Sequence, residues 1–144
     1  MPANTAPIHP VTPNVGGTGT LPVHIQTANT AEDGSGTVAT IFTAGANHGR
    51  VDTIRAKPDG SGNNVATRLK IFVNDGTGQT AGQQHSVQIA DYTLPATTGS
   101  QAAQVNPDII IPLDLPIPSG YKIQICIGTT VVAGWFVSAQ GGDY

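Results

Sequence analysis

Glycine and proline, 18 and 11 of 144 residues, break this chain into short pieces, and inside those pieces apolar residues recur with a period of two. That combination constrains the fold more than any other feature. A helix needs a longer uninterrupted stretch and a period near 3.6; a strand with one wet face needs what is found here. In 65–73, Val65, Thr67, Leu69, Ile71 and Val73 share one face, while Ala66, Arg68 and Lys70 take the other. Tyr121, Ile123, Ile125 and Ile127 repeat the pattern against Lys122, Gln124 and Cys126. Ile109, Ile111, Leu113 and Leu115 repeat it against Pro112 and Asp114. Pro112 and Pro116 have no amide to donate, so this segment belongs at a sheet edge or at a bend.

Read this way, the chain from Val23 onward predicts roughly eight strands, near 23–28, 36–43, 49–57, 65–73, 85–93, 105–115, 120–127 and 131–138. Turn chemistry separates them: Asp33-Gly34-Ser35-Gly36, Asp59-Gly60-Ser61-Gly62 and Asn74-Asp75-Gly76 all accept positive φ. The expected fold is all-β, an eight-stranded antiparallel β-sandwich. A jelly roll is the first topology and an immunoglobulin-like sandwich the second.

Residues 1–22 differ. Prolines at 2, 7, 10, 13 and 22 and the run Gly16-Gly17-Thr18-Gly19 predict an extended N-terminal arm with a flexible hinge, unable to join a regular ladder. Ile8, Val11, Val15 and Leu21 are its apolar handholds and the candidate partner-binding residues. The domain proper is expected over 23–144.

Composition excludes several roles. Only 10% of residues are charged, against about 25% in ordinary domains, so the surface is polar but largely neutral. A net charge of −3 with six scattered Lys and Arg offers no basic patch for nucleic acid. No apolar run is long enough to cross a bilayer as a helix, and the chain opens with no signal-peptide pattern. Cys126 is the lone cysteine, which excludes an internal disulfide and fits synthesis in a reducing cytoplasm.

Motifs for chemistry are weak. Asp75-Gly76-Thr77-Gly78 has the wrong order for an aspartic-protease loop and reads as a hairpin turn. Its glycine pair, like Gly34-x-Gly36, lacks the lysine and the helix of a phosphate loop. His9, His24, His48 and His85 have no metal-ligand spacing, and Asp33, Asp52, Asp59 and Asp75 match no EF-hand. Cys126 has no basic sequence neighbour to activate it, and Trp135 shares a core-type face with Val131, Ala133 and Val137. The chain is expected to be non-enzymatic, without cofactor or metal.

One feature asks for a partner. Val132 and Phe136 oppose the Trp135 face of their strand, and Phe72 and Ile110 stand on the nominally wet faces of theirs. A sandwich leaves those faces to solvent, so Phe72, Ile110, Val132 and Phe136 are the candidate subunit interface. Loops or the arm of the same chain are the competing cover.

The stretches Thr27-Ala28-Asn29-Thr30 through Gly36 to Asn47, Gly49 to Lys57, Asn64-Val65-Ala66-Thr67 and Gly134-Trp135 to Tyr144 resemble small virion proteins of tailed bacteriophages. They cover most of the domain from about residue 27, and the similarity is greatest to jelly-roll capsid decoration, or cement, proteins. The resemblance implies a homo-oligomer, trimer favoured, bound to the major capsid protein on the outside of the capsid, with termini reaching neighbouring capsid subunits. It implies a virion location after synthesis in the host cytoplasm. The alternative is a tail or fibre module that recognises a host glycan, using Tyr92, Trp135 and Tyr144.

Overall fold

The computed structural model describes residues 12–14, 21–105 and 107–144. Among them there is no helix. Nine strands run in chain order: β1 (Thr12–Asn14), β2 (Val23–Ile25), β3 (Ala39–Thr43), β4 (Gly49–Pro58), β5 (Thr67–Asn74), β6 (Ser86–Leu94), β7 (Ile109–Ile117), β8 (Lys122–Ile127) and β9 (Trp135–Asp143). One sheet has the order β1-β9-β4-β7, with β2 also on the free edge of β9. The other has the order β3-β8-β5-β6, and every pairing within the two sheets is antiparallel. From β2 to β9 the chain alternates between sheets except at the β5–β6 hairpin. Each sheet therefore interleaves strands remote in sequence, which is the jelly-roll arrangement of an antiparallel β-sandwich.

The core lies where the alternation places it. Leu69 and Ile71 of β5, Ile123, Ile125 and Ile127 of β8, Ile54 of β4, and Trp135, Val137 and Ala139 of β9 are all fully buried between the sheets. Strands β4, β5, β8 and β9 are each paired on both sides and supply most of these residues.

The prolines act where expected. β7 ends its sheet, and its ladder with β4 shifts register between Val51 and Thr53, with Asp114 at φ 50°. An aspartate accepts that left-handed conformation more readily than most residues. Arg50 braces the irregularity, donating from Nε to Asp52 Oδ1 at 2.9 Å and pairing with Asp114. The resulting charge–charge contacts raise the Arg50 pKa, with the Asp52 hydrogen bond the largest cause.

Strand ends differ from the alternation in β2, β3, β7 and β9, and for β2, β3 and β9 the reason is tertiary. β9 starts at Trp135 instead of 131 and runs on to Asp143. Asn64, itself buried, accepts hydrogen bonds from the amides of Ala133 and Gly134, both at 2.9 Å, and holds them out of the sheet. Gly141 continues the strand because only hydrogen fits there: a Cβ would overlap the Arg50 carbonyl oxygen on β4. β2 stops at Ile25 and β3 starts at Ala39, because the intervening chain leaves the first sheet, bridges Ala28 to Ile127, and crosses the outer face of the second.

That crossing corrects two expectations. Alternation gives Phe72 to a subunit interface and Lys70 to solvent, yet both are buried within the chain. The segment from Asn29 to Gly36 is their cover. Lys70 Nζ donates to the carbonyls of Asn29 and Ala31 at 3.0 and 2.8 Å and to Glu32 Oε1 at 3.1 Å. Gly34, at φ 76°, lies against the Phe72 ring. Asn29 closes the segment on itself, donating from Nδ2 to Ser35 O and Thr37 O at 2.7 and 2.9 Å. Cys126 sits beneath it, and burial pushes its thiol pKa up despite the neighbouring Lys70.

The proline-rich stretch is also not wholly outside the ladder. Thr12, Pro13 and Asn14 pair with Asp143, Gly142 and Gly141 along the free edge of β9. An edge strand turns every second amide away from its partner, and proline is tolerated at such a position. Ile8, Val11, Val15 and the run 16–19 lie outside the described residues.

Candidate functional site

The outer face of the β1-β9-β4-β7 sheet carries one set of side chains left without cover. On β4, Ile54 and Ala56 point into the core, so Arg55 and Lys57 point out. On β9, Trp135, Val137 and Ala139 point in, so Phe136, Ser138 and Gln140 point out. The register sets Phe136 opposite Lys57 and His24, and Ser138 opposite Arg55. Arg55 in turn lies opposite Ile110 of β7.

Leu21 and Pro22, just before β2, close one side of this face. With Arg55, Lys57, Phe136, Ser138 and Gln140 they line a groove of about 500 Å³. The floor is apolar: Phe136 is 40% exposed and Leu21 75%. The Phe136 ring stacks on His24 with centroids 4.6 Å apart. His24 is held from behind, its Nε2 donating to Ala133 O at 2.9 Å and lying 3.4 Å from Asp59.

The polar groups of the groove are donors. Thr53 donates its hydroxyl to Gln140 Oε1 at 3.0 Å, which fixes the amide with its NH₂ free to donate elsewhere. Arg55 is committed to Asp108, with Nε to Oδ1 at 2.9 Å and a second bond to Oδ2. That pair holds the Asp108 carboxyl below its ordinary pKa and raises that of Arg55. Lys57 is exposed and forms no ion pair among the described residues.

The sequence-derived candidates are thus separated. Leu21 and Phe136 meet in the groove, and Ile110, 60% exposed, shares their face two strands from β9. Val132, 81% exposed, stands elsewhere, on the β8–β9 loop beside Gly60–Asn63 and Gly99–Gln101. The three aromatics of the glycan alternative do not gather: Trp135 is in the core, Tyr92 lies on β6, and the Tyr144 amide is bound to His48 O near the far end of β9. Lys57, Ser138 and Gln140 were missed by sequence reasoning. The alternation of Arg55 and Lys57 against Ile54 and Ala56 was a usable signal; the facing of β9 against β4 was not.

A second uncovered surface runs along the open side of the sandwich. β2 and β3 close one side, which leaves β6 and β7 as the edges of the other. Val87, Ile89 and Tyr92 of β6 are exposed there, with Leu113 and Leu115 of β7 half-buried.

The loop carboxylates serve turns. Asp33 Oδ1 accepts from the Ser35 amide and hydroxyl, Asp59 Oδ1 from the Ser61 amide, and Asp75 from the Thr77 amide and His85. Among the described residues, no three His, Cys, Asp or Glu side chains are grouped to hold a metal ion.

Fold and surface together define a jelly-roll sandwich with an uncovered, donor-bearing sheet face. Compared with known proteins, the chain matches no family model, and no significant match was found among curated proteins or solved structures.

Proposed function

We propose that this chain is a non-enzymatic structural virion protein of a tailed phage that binds the outside of the capsid and stabilises it as a decoration protein. The resemblance of the framework segments from Thr27 to Tyr144 supports the virion assignment. The observation that carries a binding role is the uncovered face on which Leu21, Ile110 and Phe136 are exposed although Phe72, also on an outer face, is covered by the chain itself. A coat binds a lattice through many shallow contacts, and avidity replaces a deep pocket. A neutral surface, a rigid β scaffold and an N-terminal stretch lying along β9 suit that task. The protein associates with itself, trimer favoured by the resemblance, along the open side where β6 exposes Val87, Ile89 and Tyr92.

Immunogold electron microscopy of particles from the source, with antibody against this chain, tests the reading. Gold spread over the heads is the expected result. Gold confined to the tail would replace it with an adsorption role, and particles without gold would reject both.

A further inference from the structure

We infer that the folded protein is closed to trypsin-like proteases along its whole length, because every bond such an enzyme could cut is locked inside a sheet. The inference stands on the placement of the basic residues and is independent of the virion reading above.

A trypsin-like protease cuts after Lys or Arg, whose cation its specificity pocket requires. This chain has six such residues, and 1–49, 71–121 and 123–144 contain none. Arg50, Arg55 and Lys57 lie in β4, Arg68 and Lys70 in β5, and Lys122 at the start of β8. Each of those three strands is paired on both sides. The loops, where folded proteins are ordinarily nicked, therefore offer no cleavable bond. The bias is specific to bases, since Glu32, Asp33, Asp59, Asp75 and Asp108 all stand outside the strands.

The backbone at each site is occupied as well. A protease binds its substrate as an extended strand whose amides and carbonyls pair with the enzyme. Arg50 lies between Pro116 and Gly142, and Arg55 between Ile110 and Ser138. Lys70 lies between Asp91 and Cys126, and Lys122 between Thr43 and Asn74. Arg68 lies opposite Thr93, and its carbonyl accepts the Gly128 amide at 2.9 Å. Lys57 is paired with Phe136 and followed by Pro58, and a bond to a proline nitrogen is a poor trypsin substrate. The exposed side chains of Arg50, Arg55 and Arg68 do not alter this, because the main chain and not the cation must leave the sheet. Drawing a strand from the middle of a sheet breaks two ladders, so cleavage waits for global opening.

The test is digestion of the full-length protein with trypsin in native buffer, read as intact mass and repeated across a urea series. An unchanged mass in native buffer is expected, with a cutting rate that rises in step with the unfolded fraction. Ala103→Lys, on the β6–β7 connection, and Ala81→Lys, on the β5–β6 loop, each place a base outside the sheets. Both are expected to be cut at the new lysine at least about a hundredfold faster than the original chain. Both alanines are exposed, so the fold is kept, and an unchanged urea midpoint verifies this. Cleavage at any of the six native sites faster than the unfolded fraction allows would overturn the inference. So would lysine variants cut no faster than the original chain, since resistance would then owe nothing to placement.

Discussion

The Lys70 ammonium donates to the Ala31 carbonyl at 2.8 Å, although Lys70 stands on the strand face that simple alternation gives to water. The contact fixes the segment that covers Phe72 and Cys126. Lys70→Ala would leave the partly buried Ala31 carbonyl without its donor and the Asn29 carbonyl with only the weak Cys126 thiol at 3.9 Å, and carbonyls left unsatisfied cost about 1–3 kcal/mol. A loss of that size is expected in urea unfolding, with faster amide exchange over residues 29–37. Unchanged stability together with unchanged exchange would show that the segment is held without Lys70.

Leu69 and Ile125 are fully buried in the centre of the core, on strands β5 and β8 that pair directly. Truncating either to alanine is expected to cost about 2–5 kcal/mol, depending on how far the site collapses. Chemical denaturation reads this directly, and a negligible loss at both would contradict the facing of the two sheets.

Gly141 and Gly78 form a matched pair for a backbone test. Gly141→Ala places a methyl against the Arg50 carbonyl and is expected to cost about 1–3 kcal/mol by pushing β9 from β4. Gly78 has nothing within 4 Å of a Cβ, so Gly78→Ala is expected to be neutral or to stabilise by under about 1 kcal/mol. Equal thermal midpoints for the two variants would refute the close approach.

Acid should weaken the fold through carboxylates already in use. Hydrogen bonds from His85 hold Asp75 below its ordinary pKa; those from Arg55 and Ser35 do the same for Asp108 and Asp33. A depressed folded-state pKa contributes stability that is present above the unfolded value and lost as pH falls through the folded one. The urea midpoint is therefore expected to decline below about pH 4. Asp75→Asn should make that decline shallower. A midpoint that holds constant through the acid range would rule these contacts out as contributors.

Self-association along β6 has its own check. β6 is a nine-residue edge strand with no proline and no lysine, unlike β7 with Pro112 and Pro116. A lysine on an edge opposes strand-to-strand contact. Val87→Lys is expected to yield a smaller species in light scattering with little change in stability, since Val87 is exposed. An oligomer of unchanged mass would place the subunit contact elsewhere.

The sequence by itself determined the strands from β2 onward to within a few residues, the facing of most of their core residues, and that the proline-bearing β7 lies at an edge or a bend. Alternation is a local property: neighbouring side chains on an extended backbone must point opposite ways, and Pro112 lacks an amide wherever it sits. Residues such as Leu69, Ile125 and Trp135 could thus be placed in the core from their own neighbours. What only the tertiary structure decided is which outward-facing residues stay in water. Phe72 and Phe136 read alike in sequence, but the segment around Asn29 buries one, while the other, with His24 on one side of its ring, stays 40% exposed. The groove has the same origin, since Lys57 and Phe136 become neighbours only when β9, remote in sequence, inserts between β4 and β2. Cover and juxtaposition depend on contacts between distant segments, and no local period encodes them.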